Sequence, residues 1–540
     1  MRLAVSLLAA AVLSAEFTLA QNISLSEQLL QTLDEFPSTD PLVSELYAAI
    51  ESATNVLDNT SIVLDNTLTE RSLLQPTSRA KLACSLLKVT LQHWYTDPTD
   101  QTAYDVLRLK NWSNNCDLPA ACFLTPVHPV QVAVALQIIT FTQSKFAVRS
   151  GGHNPNPGFA GVGEEGVTID MQGFTTLQLS ADKSRATVGA GLRFGAVQSY
   201  LDQYQVAVVS GRNNYVGVSG LLLGGGHPII NSLTGLAADN IVSTEVVLSS
   251  ARVVKASRTE NSDLFRALKG GGNNFGIVTK VELKTSMPRN IWYRIAVYGA
   301  SNPRAVFDAL VEVQKRMEAD PKAGIAITCS PTAFSVTFVY GEYINDPEVF
   351  APFRSLAAIS ETKAPTNGTT VEFIKLQSPP QPEGIRDTVG VTTYLDTDLY
   401  MEIYKQYLAT ANAAGGPTTA FLLPIQTFGA ASAQIAEKNG GNVLGTSQKA
   451  QTWWNPIAQW TDPAASDKVH SALLSLADAI KSAAQAKGLY DEYIFANIAA
   501  HDQDVLGSYG QQNVDFLQTV SRKYDWLGTF QRLQNGGFRI

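Results

Sequence analysis

The strongest constraint in this sequence is the way glycine breaks up its middle. Between Cys122 and Lys284, short β-branched runs (Phe146 to Val148, Val167 to Ile169, Ala186 to Val188, Val206 to Val209, Val242 to Leu248, Ile277 to Leu283) alternate with glycine clusters. That texture predicts strands joined by tight turns, with a helix at Phe194 to Tyr204 between them. Three loops are glycine-dense: Arg149 to His153, Val216 to Gly226, and Gly270 to Gly276. Read singly, each is a turn. Together, and each beside a strand, they suit backbone that approaches an anionic ligand such as a pyrophosphate. The third loop follows a helical stretch, Asp263 to Lys269, and opens a strand, which is the reverse of the Rossmann order. No Walker A sequence is present.

The flanks differ in period. Apolar residues recur at helical spacing before Thr96, as in Leu29, Leu30, Leu33 and Phe36, then Val43, Leu46 and Ile50, which predicts a helical preface. From Asn290 to about Lys487, strand-like runs (Ile291 to Val297, Gly324 to Thr328, Phe334 to Tyr340) alternate with helical ones (Ala305 to Met317, Ser466 to Ala486), the pattern of a second α+β domain. The last fifty residues return to a glycine and aromatic texture. For 540 residues the division expected is 1–20, 21–117, 118–289, 290–487 and 488–540.

Residues 1–20 read as a secretory signal: Arg2, an apolar run from Leu3 to Leu13, and Thr18-Leu19-Ala20 as a cleavage site, so the mature chain is expected to begin near Gln21 and to be secreted. Sequons at Asn22, Asn59, Asn111 and Asn367 fit glycosylation on that route. Of the four cysteines, Cys84 and Cys122 are the expected disulfide, and Cys116 and Cys329 are expected to be buried thiols. Neither these cysteines nor the scattered histidines carry metal-ligand spacing, so no metal is expected. A net charge of -8, with only 16% charged residues, opposes a nucleic-acid or anionic-membrane partner.

The segment Phe146 to Asn154 with Val167 to Met171, followed by Val188 to Gly191, Val216 to Gly226, Gly235 to Asn240, Gly276 to Thr279, Ser508 to Gly510 and Lys523 to Asp525, resembles the berberine bridge enzyme-like oxidoreductases of the vanillyl-alcohol oxidase superfamily, most closely fungal members. The resemblance implies an α+β, two-lobed FAD-binding fold with an antiparallel-sheet substrate domain, the last segment completing the FAD lobe. It implies that His153 bonds covalently to the flavin 8α-methyl, and that Arg149, Ser150, Gly151, Gly152, Asn213, Val216, Gly217, Ser219, Gly220 and Ile277 bind the cofactor. Many relatives attach the flavin a second time through a cysteine where this chain has Asn213, so a single histidyl link is expected. Val216 falls where the family's residue faces the flavin's oxygen-reactive side, and a compact residue there resembles oxidases. His227 occupies a position that varies between relatives.

The family's general base has no counterpart: the expected tyrosine position falls on Ile498, and a carboxylate position falls on Gln434. Tyr493 and Asn497 are the remaining candidates. The implied activity is oxidation of a small molecule, a fungal secondary metabolite, at an alcohol or activated C–H carbon, with molecular oxygen as acceptor and hydrogen peroxide as product, by a monomer. The rival readings are a flavin-bearing isomerase or cyclase, a flavin dehydrogenase, and a secreted ligand-binding glycoprotein without turnover.

Overall fold

The computed structural model describes residues 24–63 and 75–540, with the side chains of 59–63 outside that description. The proposed signal segment, Asn22 and the side chain of Asn59 therefore lie outside it. The preface consists of helices Leu25–Asp34, Pro41–Val63 and Pro76–Thr90. The first begins at Ser24, whose side chain accepts from the Glu27 amide while Glu27 returns a bond to the Ser24 amide, a reciprocal cap that satisfies two otherwise orphaned donors. Leu25, Leu29 and Leu33 bury one face of it against Val43, Leu46 and Ile50 and the largely apolar helix Pro129–Thr142. A disulfide joins Cys84 to Cys122, and Cys116 and Cys329 are buried thiols.

Strands Cys122–Leu124, Gly166–Asp170 and Lys145–Arg149 form the parallel part of a four-stranded sheet, the pairing that a helical crossover such as Pro129–Thr142 permits. A five-stranded antiparallel sheet follows, with Ile277–Lys284 at its centre between Arg185–Gly189 and Ile241–Val247. The second lobe is a ten-stranded antiparallel sheet that runs from Asn290 to Asp491. Helices Pro303–Met317, Thr397–Ala414 and Ser466–Ala486 cover one face of it.

The two-residue period of a strand explains how this sheet serves two purposes. Ile325, Ile327 and Cys329 face the helices, as do Leu423 and Ile425. Their neighbours Thr328, Leu422, Pro424 and Gln426 face the opposite way, into a cavity between the lobes. The C-terminal segment returns to the first lobe: the Phe146 amide donates to Leu533 O at 3.1 Å, and Asn274 Nδ2 donates to Phe538 O at 2.9 Å.

Two local expectations are corrected. Val206 to Val209 is not a strand, since only Ala207 makes a bridge, with Met287. The helix before it ends in a reversal at Gln205 (φ 63°), and the Val208 carbonyl accepts from the Gln198 side chain at 2.7 Å rather than from a neighbouring strand. The end of the chain also contains a helix, Gln511–Tyr524, within the stretch read only as a glycine and aromatic texture.

Candidate functional site

The site starts from a buried ion pair. Arg149 ends its strand directly opposite Asp170 in the parallel register. Its guanidinium donates to Asp170 Oδ2 at 2.6 and 3.2 Å and to Leu107 O at 2.6 Å. Both side chains are almost fully buried, so each charge depends on the other. Arg149, expected among the cofactor-binding residues, is not in the cavity wall: its side chain is spent on Asp170 and Leu107 and anchors the loop that follows.

Beyond that anchor, Ser150, Gly151, Gly152 and His153 emerge into the cavity. A Cβ on Gly151 would lie 2.5 Å from Gly217 Cα, so the first and second glycine loops are packed backbone against backbone, an approach that only glycine permits. Ser150 Oγ and Ser219 Oγ both donate to Ala190 O, at 2.6 and 3.3 Å, which fastens the pair of loops to the five-stranded sheet. His153 stacks on Trp112 with centroids 4.4 Å apart, and Arg386 lies 5.1 Å from the other ring system of that stack. Burial, with Arg193 and Arg386 nearby, pushes the imidazole down to about 4. His153 is therefore neutral at physiological pH, with a nitrogen lone pair free to act as a nucleophile.

The cavity holds about 620 Å³ and collects residues from all three glycine-dense loops. Ser150, Gly151, Gly152, His153, Asn213, Val216, Gly217, Ser219, Gly220 and Ile277 all line it. So do the third glycine loop, Gln534 and Phe538 from the C-terminus, and the outward row of the substrate-lobe strands. Gln534 is only 1% exposed, yet both ends of its amide lack a hydrogen-bond partner. A buried amide in that state calls for a polar ligand.

Of the two catalytic candidates, one lines the cavity and one does not. Tyr493 does not reach the cavity wall; it is buried among Trp453 and Tyr509, its hydroxyl is unpartnered, and burial holds its pKa well above the usual value. Asn497 does line the cavity, but its Oδ1 accepts from the Gly226 amide at 2.9 Å and its Nδ2 donates to Gly220 O at 3.1 Å. It clamps the second glycine loop to the C-terminal segment. Gln434 sits exposed on helix Ala430–Lys438, whereas Gln426 is the glutamine that faces the cavity. Trp112 and Gln534 carry no local sequence signal and were missed.

The comparisons with known proteins agree with this geometry. A family model described as an FAD binding domain matches residues 120–257. An FAD-dependent monooxygenase of Arthrobotrys oligospora is 37% identical over 442 residues, 81% of this chain and 86% of that protein. The chain belongs to the same family of FAD-binding oxidoreductases. Among solved structures, the berberine bridge enzyme-like protein 1 of Physcomitrella patens superposes with a TM-score of 0.71 at 18% identity, covering 83% of this chain and 97% of that one. Glucooligosaccharide oxidase of Acremonium strictum, described with a 6-S-cysteinyl, 8α-N1-histidyl FAD, gives a TM-score of 0.71 at 17% identity over 84% and 98%. The fold is thus the two-lobed vanillyl-alcohol oxidase type, and this family member is an FAD-dependent oxidoreductase.

The residues present fit FAD: a wall of glycine backbone, the unpartnered Gln534 amide, and a neutral His153 at the cavity surface. Among the described residues no helix is long and apolar enough to cross a membrane. Of the sequons, Asn367 is exposed, while Asn111 turns its amide inward, donating to Cys116 O at 2.9 Å and to Asp117 Oδ1 at 3.0 Å. A glycan on Asn111 would have to displace those bonds.

Proposed function

We propose that this protein is a secreted oxidase with a single covalent histidyl link to FAD, acting on an alcohol or activated C–H carbon of a small fungal metabolite. The observation that carries this reading is His153, neutral, stacked on Trp112 and facing a glycine-walled cavity. Bound FAD would supply hydride acceptance and electron transfer to oxygen, with hydrogen peroxide as the product, and the glycine loops and His153 would hold it. The chain's own residues hold and enclose it. The ion pair behind Arg149 fixes the loop that presents His153. Asn213 offers no sulfur for a second attachment, and its Oδ1 is occupied by the Tyr215 amide at 2.8 Å. Val216 contributes only two methyl groups to the wall, which leaves room for oxygen. Asn497 locks the second loop against the C-terminal segment, and the substrate-lobe strands close the cavity opposite the glycine loops.

A second reading comes from the curated relative, which is named a monooxygenase. Turnover under ¹⁸O₂ separates the two. The oxidase reading expects peroxide equal to product and no ¹⁸O in the product, whereas incorporation of one labelled oxygen supports a monooxygenase. Product without either peroxide or label supports an isomerase or cyclase. Val216→Leu is expected to slow reoxidation of reduced enzyme and to leave anaerobic reduction by substrate nearly unchanged. Equal slowing of both half-reactions makes Val216 a packing residue only.

A further inference from the structure

The cavity wall is unusual in its charge. Among the described residues, Arg212 is its only Asp, Glu, Lys or Arg side chain, and no tyrosine lines it. No ion pair or hydrogen bond engages the Arg212 guanidinium among the described residues, and the one influence on its titration is burial, which lowers it to about 10. The group is therefore a cation at any physiological pH. Arg212 is part-exposed to the cavity, and a guanidinium that meets no anion in a cavity otherwise lined by neutral groups is free to take one from a ligand. Arginine is suited to that task because its donor fork matches a two-oxygen or a single strongly basic oxygen acceptor.

Two anions enter this cavity: the phosphates of FAD and any acidic oxygen of the substrate. The position of Arg212 favours the second. Gly211 packs against Leu221, and Leu221 lies under Gly226, so the Arg212 segment runs beside Gly226 and His227. His227 feels the charge of Arg212, and its Nε2 donates to Thr427 O at 2.9 Å on strand Thr419–Phe428 of the substrate lobe. Gln426 of that strand lines the cavity as well. The guanidinium thus sits on the side where the two lobes meet. The other polar groups on the substrate-lobe wall, Thr328, Gln377, Gln381, Gln426 and Asn455, are all neutral.

We propose that Arg212 is the anion-binding residue of the substrate pocket, and that the substrate binds with a deprotonated acidic oxygen, a carboxylate or an ionised phenol or enol, against it. The proposal rests on the oxidoreductase reading and deepens it. For an ionised phenol or enol conjugated with the carbon that loses hydride, it also accounts for the missing base, because the proton a side chain would otherwise take has already left before binding; a carboxylate would serve only to anchor the substrate. A neutral oligosaccharide would leave Arg212 unpaired.

The test titrates flavin-loaded enzyme with benzoate and with its neutral isostere benzamide, following the visible flavin spectrum. Benzoate is expected to bind saturably and at least about 10-fold more tightly than benzamide. Arg212→Gln should lose at least about 10-fold in benzoate affinity, a difference of about 1.4 kcal/mol, while benzamide binding and flavin content stay as in the wild type. Arg212→Lys, which keeps the charge and loses the fork, should fall between them. If the wild type does not prefer benzoate, the proposal is wrong whatever the variants do. Loss of flavin from both Arg212→Gln and Arg212→Lys would instead place the guanidinium on the cofactor and also overturn it. The absence of any flavin from wild-type protein would be a different failure, that of the oxidoreductase reading itself.

Discussion

Asp170→Ala tests whether the histidine-bearing loop is held by the ion pair behind it. The Arg149 and Asp170 side chains are 3% and 2% exposed, with Nη2 and Oδ2 2.6 Å apart. Charge centres about 4 Å apart attract by about 4 kcal/mol at an effective dielectric near 20, and the desolvation of both groups offsets most of that. Removing one partner is a different matter, because the other charge stays buried; the cost is then about 3–5 kcal/mol. Asp170 Oδ1 also accepts from the Gln172 amide at 3.0 Å, which adds about 1 kcal/mol. Urea denaturation should therefore show Asp170→Ala destabilised by about 4–6 kcal/mol, with flavin content reduced. The double variant Arg149→Met with Asp170→Leu removes both charges at similar volume and should recover to within about 2 kcal/mol of the wild type, while the single variants Arg149→Met and Asp170→Leu should each lose at least about 3 kcal/mol, so the cycle reports a coupling of about 4 kcal/mol or more. A shift below about 1 kcal/mol for Asp170→Ala, or strict additivity in the cycle, would refute the anchoring argument.

His470 donates to Asp387 at 2.5 Å and to Asp502 at 3.1 Å, joining helix Ser466–Ala486 to strand Ile385–Thr388 and the C-terminal segment. The bond to Asp387, more than any other influence, raises its pKa to about 9. A raised folded-state value means that the protonated imidazole stabilises the fold fully below its unfolded pKa of about 6.5 and loses that contribution as pH rises through about 9. Thermal scans should show stability declining over that window, and His470→Gln should flatten the decline; an unchanged profile would remove His470 as its source. The Cys84–Cys122 bond closes a loop with a sequence separation of 38, worth about 4 kcal/mol on a chain-entropy estimate; Cys84→Ser should lose stability of that order, and a loss below about 1 kcal/mol would contradict it. Export is checked by N-terminal sequencing, with a start near Gln21 and a mass decrease on glycosidase treatment expected, and an intact Met1 on functional protein as the opposing result.

Local features were legible in the sequence and long-range ones were not. The glycine loops, the strands they punctuate and the site residues His153, Asn213 and Val216 could be placed because each signal lies within a few neighbouring residues. The role of Arg149 was misread because its partner, Asp170, is adjacent only through the parallel register. Trp112 reaches His153 from a loop upstream of the glycine-punctuated region, and no periodicity announces it. Tyr493 was drawn in by nearness to Asn497 in sequence, but the chain between them turns so that Asn497 faces the cavity while Tyr493 packs into the core. The solitary charge of Arg212 has no local signal either, because it depends on residues from both lobes and the C-terminal segment lining one cavity with no carboxylate from the described residues among them.

The account turns on His153 as the single point of flavin attachment. Proteolysis of denatured, purified protein followed by mass spectrometry measures this directly. The account predicts one flavin-bearing peptide, containing His153, with fluorescence retained on the denatured chain and lost in His153→Ala. An unmodified His153 peptide with all flavin released into the acid supernatant would contradict it, as would one flavin bridging the His153 peptide to the peptide containing Asn213.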